Sequence, residues 1–201
     1  MAVNNRTAGV PPASAKMPND SHFGWRSRGY LPHLDAPDLI QHVVFRLADS
    51  LPAHLKDEIA ETPRDDRVHK VDAVLDQGHG RRDLAIPEIA ELIQKALLRF
   101  DGGRYSLLAW CVMPNHVHVL VEILSEHRRD RIVHSWKSFT AHAANRLLGR
   151  TTAFWAPEYF DRYMRDDMHL AATLAYIEDN PVKAGLCRKP TEWAFSSAGR
   201  R

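Results

Sequence analysis

Two histidines flank a single valine in the run HVHVLVEI of this 201-residue chain. In an extended strand, the side chains of His116 and His118 point to the same face and lie roughly 6.5–7 Å apart, close enough to bind one ion. Two ligands do not make a metal site, and an arbitrary His-x-His pair is more often two partly exposed strand residues. The motif therefore needs support from elsewhere in the chain.

A second pair lies towards the carboxyl end, where Tyr176 and Asn180 are four residues apart in a segment with helical periodicity. This spacing places both side chains on one face of a helix, a turn apart. The tyrosine could be a nucleophile, and the amide oxygen could bind the same cation as the histidines. By themselves, however, the two residues are more simply explained as a packing tyrosine and a helix cap before Pro181.

The four residues would make chemical sense together. A tyrosine hydroxyl, with a reference pKa of about 10, is a poor nucleophile at neutral pH. A divalent ion that polarises a phosphodiester lowers the barrier without a strong base. Two imidazoles and an amide oxygen leave positions open for phosphate oxygens and water, which suits Mg²⁺ or Mn²⁺ better than Zn²⁺.

Hydrophobic periodicity and turn residues predict the elements that must position these side chains. The first is a strand at Gln41–Leu47, followed by two short helices between His54 and Asp76, broken at Pro63, and by a helix from Pro87. A hairpin of Arg104–Val112 and His116–Ile123, joined by Met113-Pro114-Asn115, comes next. Two helices complete the chain, one from Arg131 to Leu148 that ends at Gly149 and one from Asp166 to Asn180 that is stopped by Pro181. The order predicts an α+β fold, with a central antiparallel sheet and helices packed mainly on one face.

Composition excludes several classes of protein. The chain is 44% hydrophobic with a net charge of +2, and no apolar run approaches the roughly 20 residues that span a bilayer, so no membrane partner is expected. Two distant cysteines, Cys111 and Cys187, favour a reducing cytoplasm. We expect residues 1–22 to be a disordered tail and residues 23–201 to form one domain. A helical insert at about 51–85 carries no recognisable chemistry.

Several strings in this order and spacing resemble REP-associated tyrosine transposases, relatives of the small single-tyrosine transposases of bacterial insertion sequences. The strings are WCVMPNHVHVLVE, WKSFTAHAANRLLGR, FWAPEYFDRYMRD and LAYIEDNPVKAGL, with GWRSRGYLPHLD before them and EWAFSSA after them. The likeness covers roughly Trp25 to Ala198. One string could occur by chance, but the ordered set is highly specific.

The resemblance implies a ferredoxin-like or RRM-like HUH endonuclease fold. It implies that His116 and His118 are the metal ligands of the HUH motif and that Tyr176 is the catalytic tyrosine. Asn180 matches the position of the third metal ligand, where relatives carry Gln. The implied reaction is metal-dependent nicking and strand transfer of single-stranded DNA, through a 5′-phosphotyrosine intermediate, at hairpins of the REP type.

The resemblance also implies a DNA partner and a cytoplasmic, nucleoid-associated location, with a monomer or homodimer equally open. Four cations lie within or next to the family-like strings and are candidates for DNA contact: Lys137, Arg162, Arg165 and Lys183. His42 has no suggestive spacing and is expected to be structural or exposed. Two alternatives stay open, a domesticated hairpin-binding protein without catalysis and a metal-dependent hydrolase without a covalent intermediate.

Overall fold

The computed structural model describes residues 24–27, 32–35, 39–52, 54–124 and 126–200. The expected tail, residues 1–22, lies outside this part of the chain. Within it are six strands, β1 to β6, and five helices, α1 to α5. The strands are Gly24–Ser27, Pro32–Asp35, Ile40–Arg46, Tyr105–Val112, His116–Ile123 and Phe160–Tyr163; the helices are His54–Glu61, Arg64–Leu75, Pro87–Leu98, Arg129–Leu148 and Asp167–Lys183.

Four strands form one antiparallel sheet in the order β4-β5-β3-β6, and β1 and β2 form a separate two-stranded hairpin. The run β3-α3-β4-β5-α4-β6 is the split βαβ arrangement of ferredoxin-like folds. The predicted α+β class with a central antiparallel sheet is confirmed. The strand β5 lies in the interior of the sheet, between β4 and β3, so the histidine motif is on a central strand.

Helices cover both faces of the sheet. Residues of α3 and α4, such as Ile93 and Trp136, pack on the face that carries Val117 and Val119. On the opposite face Ile177 of α5 packs against Leu120, and α1 and α2 pack there around Val44. Helices were expected mainly on one face. The helices α3 and α4 do share one face, but α1, α2 and α5 cover the face that carries the histidines.

Most predicted elements are confirmed to within two residues. The hairpin β4–β5 carries a bulge between Leu107 and Ala109. The helix α4 ends at Gly149, whose φ of 63° is the left-handed conformation that glycine adopts at helix ends. The insert at about 51–85 contains α1 and α2, with Pro63 between them as predicted. The assignment of residues 23–201 to one domain stays a prediction.

Two details of the sequence prediction were wrong. No element was predicted at Phe160–Tyr163, but this segment is β6, the short edge strand paired with β3. The last helix was expected to stop at Pro181, but α5 continues through it to Lys183. Pro181 has no N–H to donate within the helix, but the final turn is held by Ala184 N donating to Asn180 O and by Gly185 N donating to Val182 O.

The carboxyl-terminal segment covers the exposed edge of β4. Val112 N donates to Phe195 O, Ser197 N donates to Trp110 O, and Trp193 Nε1 donates to Val112 O. Paired backbone groups at a sheet edge prevent association with other strands. Within the described residues, none of the helices has the length and apolar character required to cross a bilayer.

Candidate active site

The histidine pair lies on the inner side of β5, fully buried. Strand alternation sends Val117 to one face and both imidazoles to the other, as the sequence predicts. Nε2 of His116 lies 2.8 Å from Nε2 of His118. The two rings therefore present their Nε2 atoms to a common point and not to solvent, and the simpler reading of two exposed strand residues was wrong.

Asn115 determines the protonation of His116. Its amide nitrogen donates to the carbonyl oxygens of Leu75 and His79, at 3.0 and 3.2 Å. Its Oδ1 therefore faces His116 Nδ1, at 2.7 Å, and can only accept. His116 Nδ1 must carry the proton, so the lone pair of its Nε2 points at His118.

His42 of β3 holds the second imidazole. Its Nε2 lies 3.0 Å from His118 Nδ1, and the two rings stack with centroids 5.2 Å apart. Of the two roles expected for His42, structural or exposed, the structure excludes the exposed one, because His42 is buried and contacts the motif directly. Strand pairing explains the proximity: Val44 is the partner of His118 in the sheet, and His42 lies two residues before it on the same face.

Asn180 completes the group of donors. Its side chain is fully buried, its amide nitrogen lies 3.2 Å from His118 Nε2, and its Oδ1 has no hydrogen-bond partner among the described residues. Rotating the amide by half a turn would exchange its nitrogen and oxygen, which occupy nearly the same positions. The oxygen would then face the point on which the two imidazoles converge.

These donors fit a divalent cation. An octahedral ion with ligands at about 2.1 Å has adjacent ligands about 3 Å apart, and the two contacts of His118 Nε2 measure 2.8 and 3.2 Å. Asp76 Oδ1 lies 3.9 Å from His116 Nε2. Within the described residues, His, Cys, Asp and Glu form no metal-binding group of three or more by themselves, so the third donor would be the Asn180 amide.

Burial controls the charge of the histidines. It lowers the pKa of His116 to about 3, with a smaller contribution from His42, and it also lowers the pKa of His118. Each imidazole is therefore neutral at pH 7. Neutral imidazole is the form that binds a metal.

Tyr176 lies beside the histidines of its own chain. Its ring centroid is 5.8 Å from that of His118, and its hydroxyl donates to Asp72 Oδ2 at 3.1 Å. Burial raises its pKa, as do the negative charges of Asp72 and Asp76. The sequence analysis did not identify Asp72. It lies 104 residues from Tyr176 along the chain, and no local sequence pattern connects the two residues.

Tyr176 lines a cavity of about 270 Å³. The lining residues come from β3, α2, β6 and α5: His42, Asp72, Arg162, His169, Ala172, Thr173 and Tyr176. Arg162 brings a positive charge to the same cavity as Tyr176, and a guanidinium can bind an anionic group such as a phosphodiester.

The four cations expected to contact DNA lie in different surroundings. Arg162 lines this cavity, Lys183 Nζ lies 4.6 Å from the centre of the Tyr176 ring, and Arg165 is exposed just before α5. Lys137 is partly buried and donates to the carbonyl oxygens of Ala156 and Pro157, both at 2.7 Å. Lys137 thus has a structural role, and its contact with DNA stays a prediction.

Known transposases resemble this chain in sequence. Residues 81–180 match the family described as "Transposase IS200 like". A protein of Haemophilus influenzae, assigned as a REP-associated tyrosine transposase, is 29% identical over 106 residues, which are 48% of this chain and 60% of that protein. A REP-associated tyrosine transposase of Escherichia coli K12 is 25% identical over 125 residues, which are 60% of this chain and 71% of that protein.

Among solved structures, a REP-associated tyrosine transposase bound to a REP hairpin superposes with a TM-score of 0.55 over 87% of this chain and 82% of that chain. The two sequences are 16% identical, so this likeness concerns the fold alone. The chain spans only 60% of the length of the Haemophilus relative.

Proposed function

Because this chain belongs to the family of IS200-like transposases, we propose that it is a transposase that nicks single-stranded DNA at hairpins and becomes covalently attached to the cut end through Tyr176. The proposal rests chiefly on the position of the Tyr176 hydroxyl, beside the convergent histidines and at the edge of the cavity that Arg162 lines. The named activity of the relatives makes DNA the expected substrate, and the hairpin in the related structure makes folded single strands the expected form.

The three buried donors would hold the metal. His116 and His118 would bind it through Nε2 and Asn180 through its amide oxygen. When bound, Mg²⁺ or Mn²⁺ would polarise the scissile phosphodiester and neutralise charge on the phosphoryl oxygens. Asn115 and His42 keep the two imidazoles oriented, because each contacts the Nδ1 atom that faces away from the convergence point.

Tyr176 would carry out the chemistry. Its oxygen attacks the phosphorus while the 3′ oxygen leaves, giving a 5′-phosphotyrosine and a free 3′-hydroxyl. The reverse attack by another 3′-hydroxyl would join two strands. Holding the nucleophile and the phosphate in one cavity replaces a bimolecular encounter with a reaction within one complex. Lys183 and Arg162 would bind phosphates near Tyr176, since Lys183 Nζ lies 4.6 Å from the centre of the Tyr176 ring and Arg162 lines the cavity.

The test is capture of the covalent adduct. Labelled single-stranded oligonucleotides that carry hairpins from the host's own repeats are incubated with the protein and Mg²⁺ or Mn²⁺, then separated on a denaturing protein gel. We expect a labelled protein band that requires metal and is absent from Tyr176→Phe and His116→Ala. Tyr163→Phe is the matched control, because Tyr163 follows Arg162 on β6 and therefore faces away from the cavity.

The outcomes separate the proposed function from its alternatives. Hairpin binding without an adduct, with both metals and several hairpins, would indicate a non-catalytic DNA-binding protein. Cleavage that survives Tyr176→Phe would indicate a hydrolase without a covalent intermediate. The nucleoid location and the choice between monomer and homodimer stay predictions.

A further inference from the structure

Asp72, a residue of the insert between β3 and α3, forms a hydrogen bond with Tyr176, the proposed nucleophile. Tyr176 Oη donates its hydrogen bond to Oδ2 of Asp72, a residue of α2 whose surface is only 2% exposed. The other oxygen, Oδ1, is buried without a hydrogen-bond partner among the described residues. Burying a carboxylate costs free energy unless it is paired and hydrogen-bonded. Because one oxygen of Asp72 has no such partner among the described residues, its contact with Tyr176 suggests a function other than stability.

Packing fixes the position of Asp72. Its neighbours Val71, Val74 and Leu75 are buried against Val44 of β3 and Phe160 of β6. The helix α2 cannot shift without breaking this cluster, so the carboxylate is held at the hydroxyl by the core. Groups of this kind, on rigid elements, are the ones that can maintain a productive geometry during a reaction.

Other titratable and charged groups surround the pair, one or more from each element packed against it. They are His42 of β3, His118 of β5, Arg162 of β6, His169 and Lys183 of α5, and Asp76 at the carboxyl-terminal cap of α2. The Nε2 of His42 lies against His118 Nδ1, and the His42 and Tyr176 ring centroids are 6.4 Å apart. Asp72 is the base that the hydroxyl contacts directly.

The hydrogen bond between the two residues gives the tyrosine proton a direct acceptor. Tyr176 Oη donates to Asp72 Oδ2 at 3.1 Å, so the proton can pass to that oxygen as the bond to phosphorus forms. Burial raises the pKa of Asp72 to about 8, and the ionised fraction of such a carboxyl can accept and return a proton near neutral pH.

We propose that Asp72 is the proton acceptor for Tyr176, which makes the α1–α2 insert a part of the active site. The inference rests on the proposed transposase function. In the forward step the Tyr176 O–H bond breaks and its proton passes to Asp72 Oδ2, while the Oη–P bond forms. The P–O3′ bond breaks, and the 3′ oxygen keeps the electron pair and takes a proton from water. In the reverse step a 3′-hydroxyl gives its proton to water as its oxygen attacks phosphorus, the Oη–P bond breaks, and Asp72 returns its proton to the phenolate oxygen.

The experiment measures the rate of adduct formation in single turnover, with metal and hairpin oligonucleotide in excess, for Asp72→Asn and Asp72→Ala beside the wild type. Asparagine can still accept the tyrosine hydrogen bond but cannot take the proton. We expect both variants to slow adduct formation by about 100- to 1000-fold, with hairpin affinity unchanged. Asp72→Glu, which keeps a carboxyl, should recover part of the rate.

A purely structural role for Asp72 predicts a different pattern, in which Asp72→Asn keeps the wild-type rate and only Asp72→Ala is slow. That result would overturn the proposal. The pH profile is a second readout. The wild-type rate should level off once Asp72 is ionised, whereas the Asp72→Asn rate should continue to rise because hydroxide must remove the proton.

Glu58→Gln is the matched control, since it makes the same change of carboxyl to amide in the insert. Glu58 lies on α1 and pairs with Lys70 of α2, with more than half of its side chain exposed. We expect this variant to form the adduct at the wild-type rate. If the wild type itself formed no adduct, the proposed function would fail and the role of Asp72 with it. Equal rates for wild type and Asp72→Asn would overturn the role of Asp72 alone.

Discussion

Asn115 Oδ1 lies 2.7 Å from His116 Nδ1, and the amide nitrogen of Asn115 is held by two backbone carbonyls on the opposite side. The asparagine that ends the β4–β5 turn therefore keeps His116 in one tautomer and one orientation. In metal sites, mutation of such a supporting residue typically lowers metal affinity or activity by about 10- to 100-fold.

We expect Asn115→Ala to weaken Mn²⁺ binding by about 10- to 100-fold, because the His116 ring would lose its orientation. The measurement is calorimetric titration of the protein with Mn²⁺. Asn145→Ala is the control, since Asn145 also donates to a backbone carbonyl, that of Thr152, but lies on α4 away from the histidines. Equal Mn²⁺ affinity for wild type and Asn115→Ala would contradict the role given to Asn115.

The buried histidines predict a loss of stability in acid. Burial is the main cause that lowers the pKa of His116 to about 3 in the folded state, whereas the pKa in the unfolded state is about 6.5. Between these two pH values the unfolded state binds a proton at His116 and the folded state does not. The free energy of unfolding of the metal-free protein should therefore fall as the pH falls below about 6.5, by up to about 1.4 kcal/mol per pH unit for each buried imidazole. Urea unfolding at a series of pH values measures this slope.

A variant without one imidazole separates this effect from general acid sensitivity. His116→Gln should show a shallower dependence of unfolding free energy on pH, because one fewer group must remain neutral in the folded protein. An exposed histidine gives the control: His142→Gln, on the outer side of α4, should leave the slope unchanged. Parallel slopes for wild type and His116→Gln would rule out the explanation.

Lys137 should matter for stability. Its ammonium group donates to Ala156 O and Pro157 O, and thereby ties α4 to the segment before β6. We expect Lys137→Met to lower the free energy of unfolding by about 2 kcal/mol, because two carbonyl groups lose a charged donor. Lys95→Met should change it by less than about 0.5 kcal/mol, since Lys95 is exposed and its ion pair with Glu91 lies at the surface. Thermal or urea unfolding compares the two variants.

DNA contacts should be visible in the salt dependence of binding. Arg162 lines the cavity and Lys183 lies over the Tyr176 ring, so each is placed to meet a phosphate. We expect Arg162→Ala and Lys183→Ala each to reduce the slope of log affinity against log salt concentration by about 0.7 for a single strand. Fluorescence anisotropy with a hairpin oligonucleotide measures the slope. Lys95→Ala provides the baseline, and slopes that matched it would argue against both contacts.

The turn after α2 should be sensitive to a single methyl group. Gly80 has a φ of 76°, and a Cβ there would lie 2.4 Å from the carbonyl oxygen of Asp49. Gly78 has a φ of 74° but open space around it. Gly78→Ala should cost about 1–2 kcal/mol for the left-handed backbone, and Gly80→Ala should cost clearly more because the backbone must also move. Urea unfolding of the two variants gives the comparison, and equal costs would show that the turn can adjust.

The sequence by itself determined the parts of this protein that depend on local spacing. Alternation along β5 placed His116 and His118 on one face, and the four-residue spacing on α5 placed Tyr176 above Asn180. Both follow from the repeat of a strand or a helix, which any stretch of chain carries within itself. The ordered strings then indicated the family, which the match over residues 81–180 supports.

Tertiary structure alone decided which distant groups meet. Asp72 reaches Tyr176 across 104 residues, and His42 reaches His118 across 76. The strand β6 is too short to be recognised without the partner β3. Such contacts depend on the order of the strands in the sheet and on the hydrophobic cluster that packs α2 against it. The periodicity of a single strand or helix predicts neither of these. The insert therefore showed no chemistry in the sequence, while the fold places the Asp72 carboxyl against the Tyr176 hydroxyl.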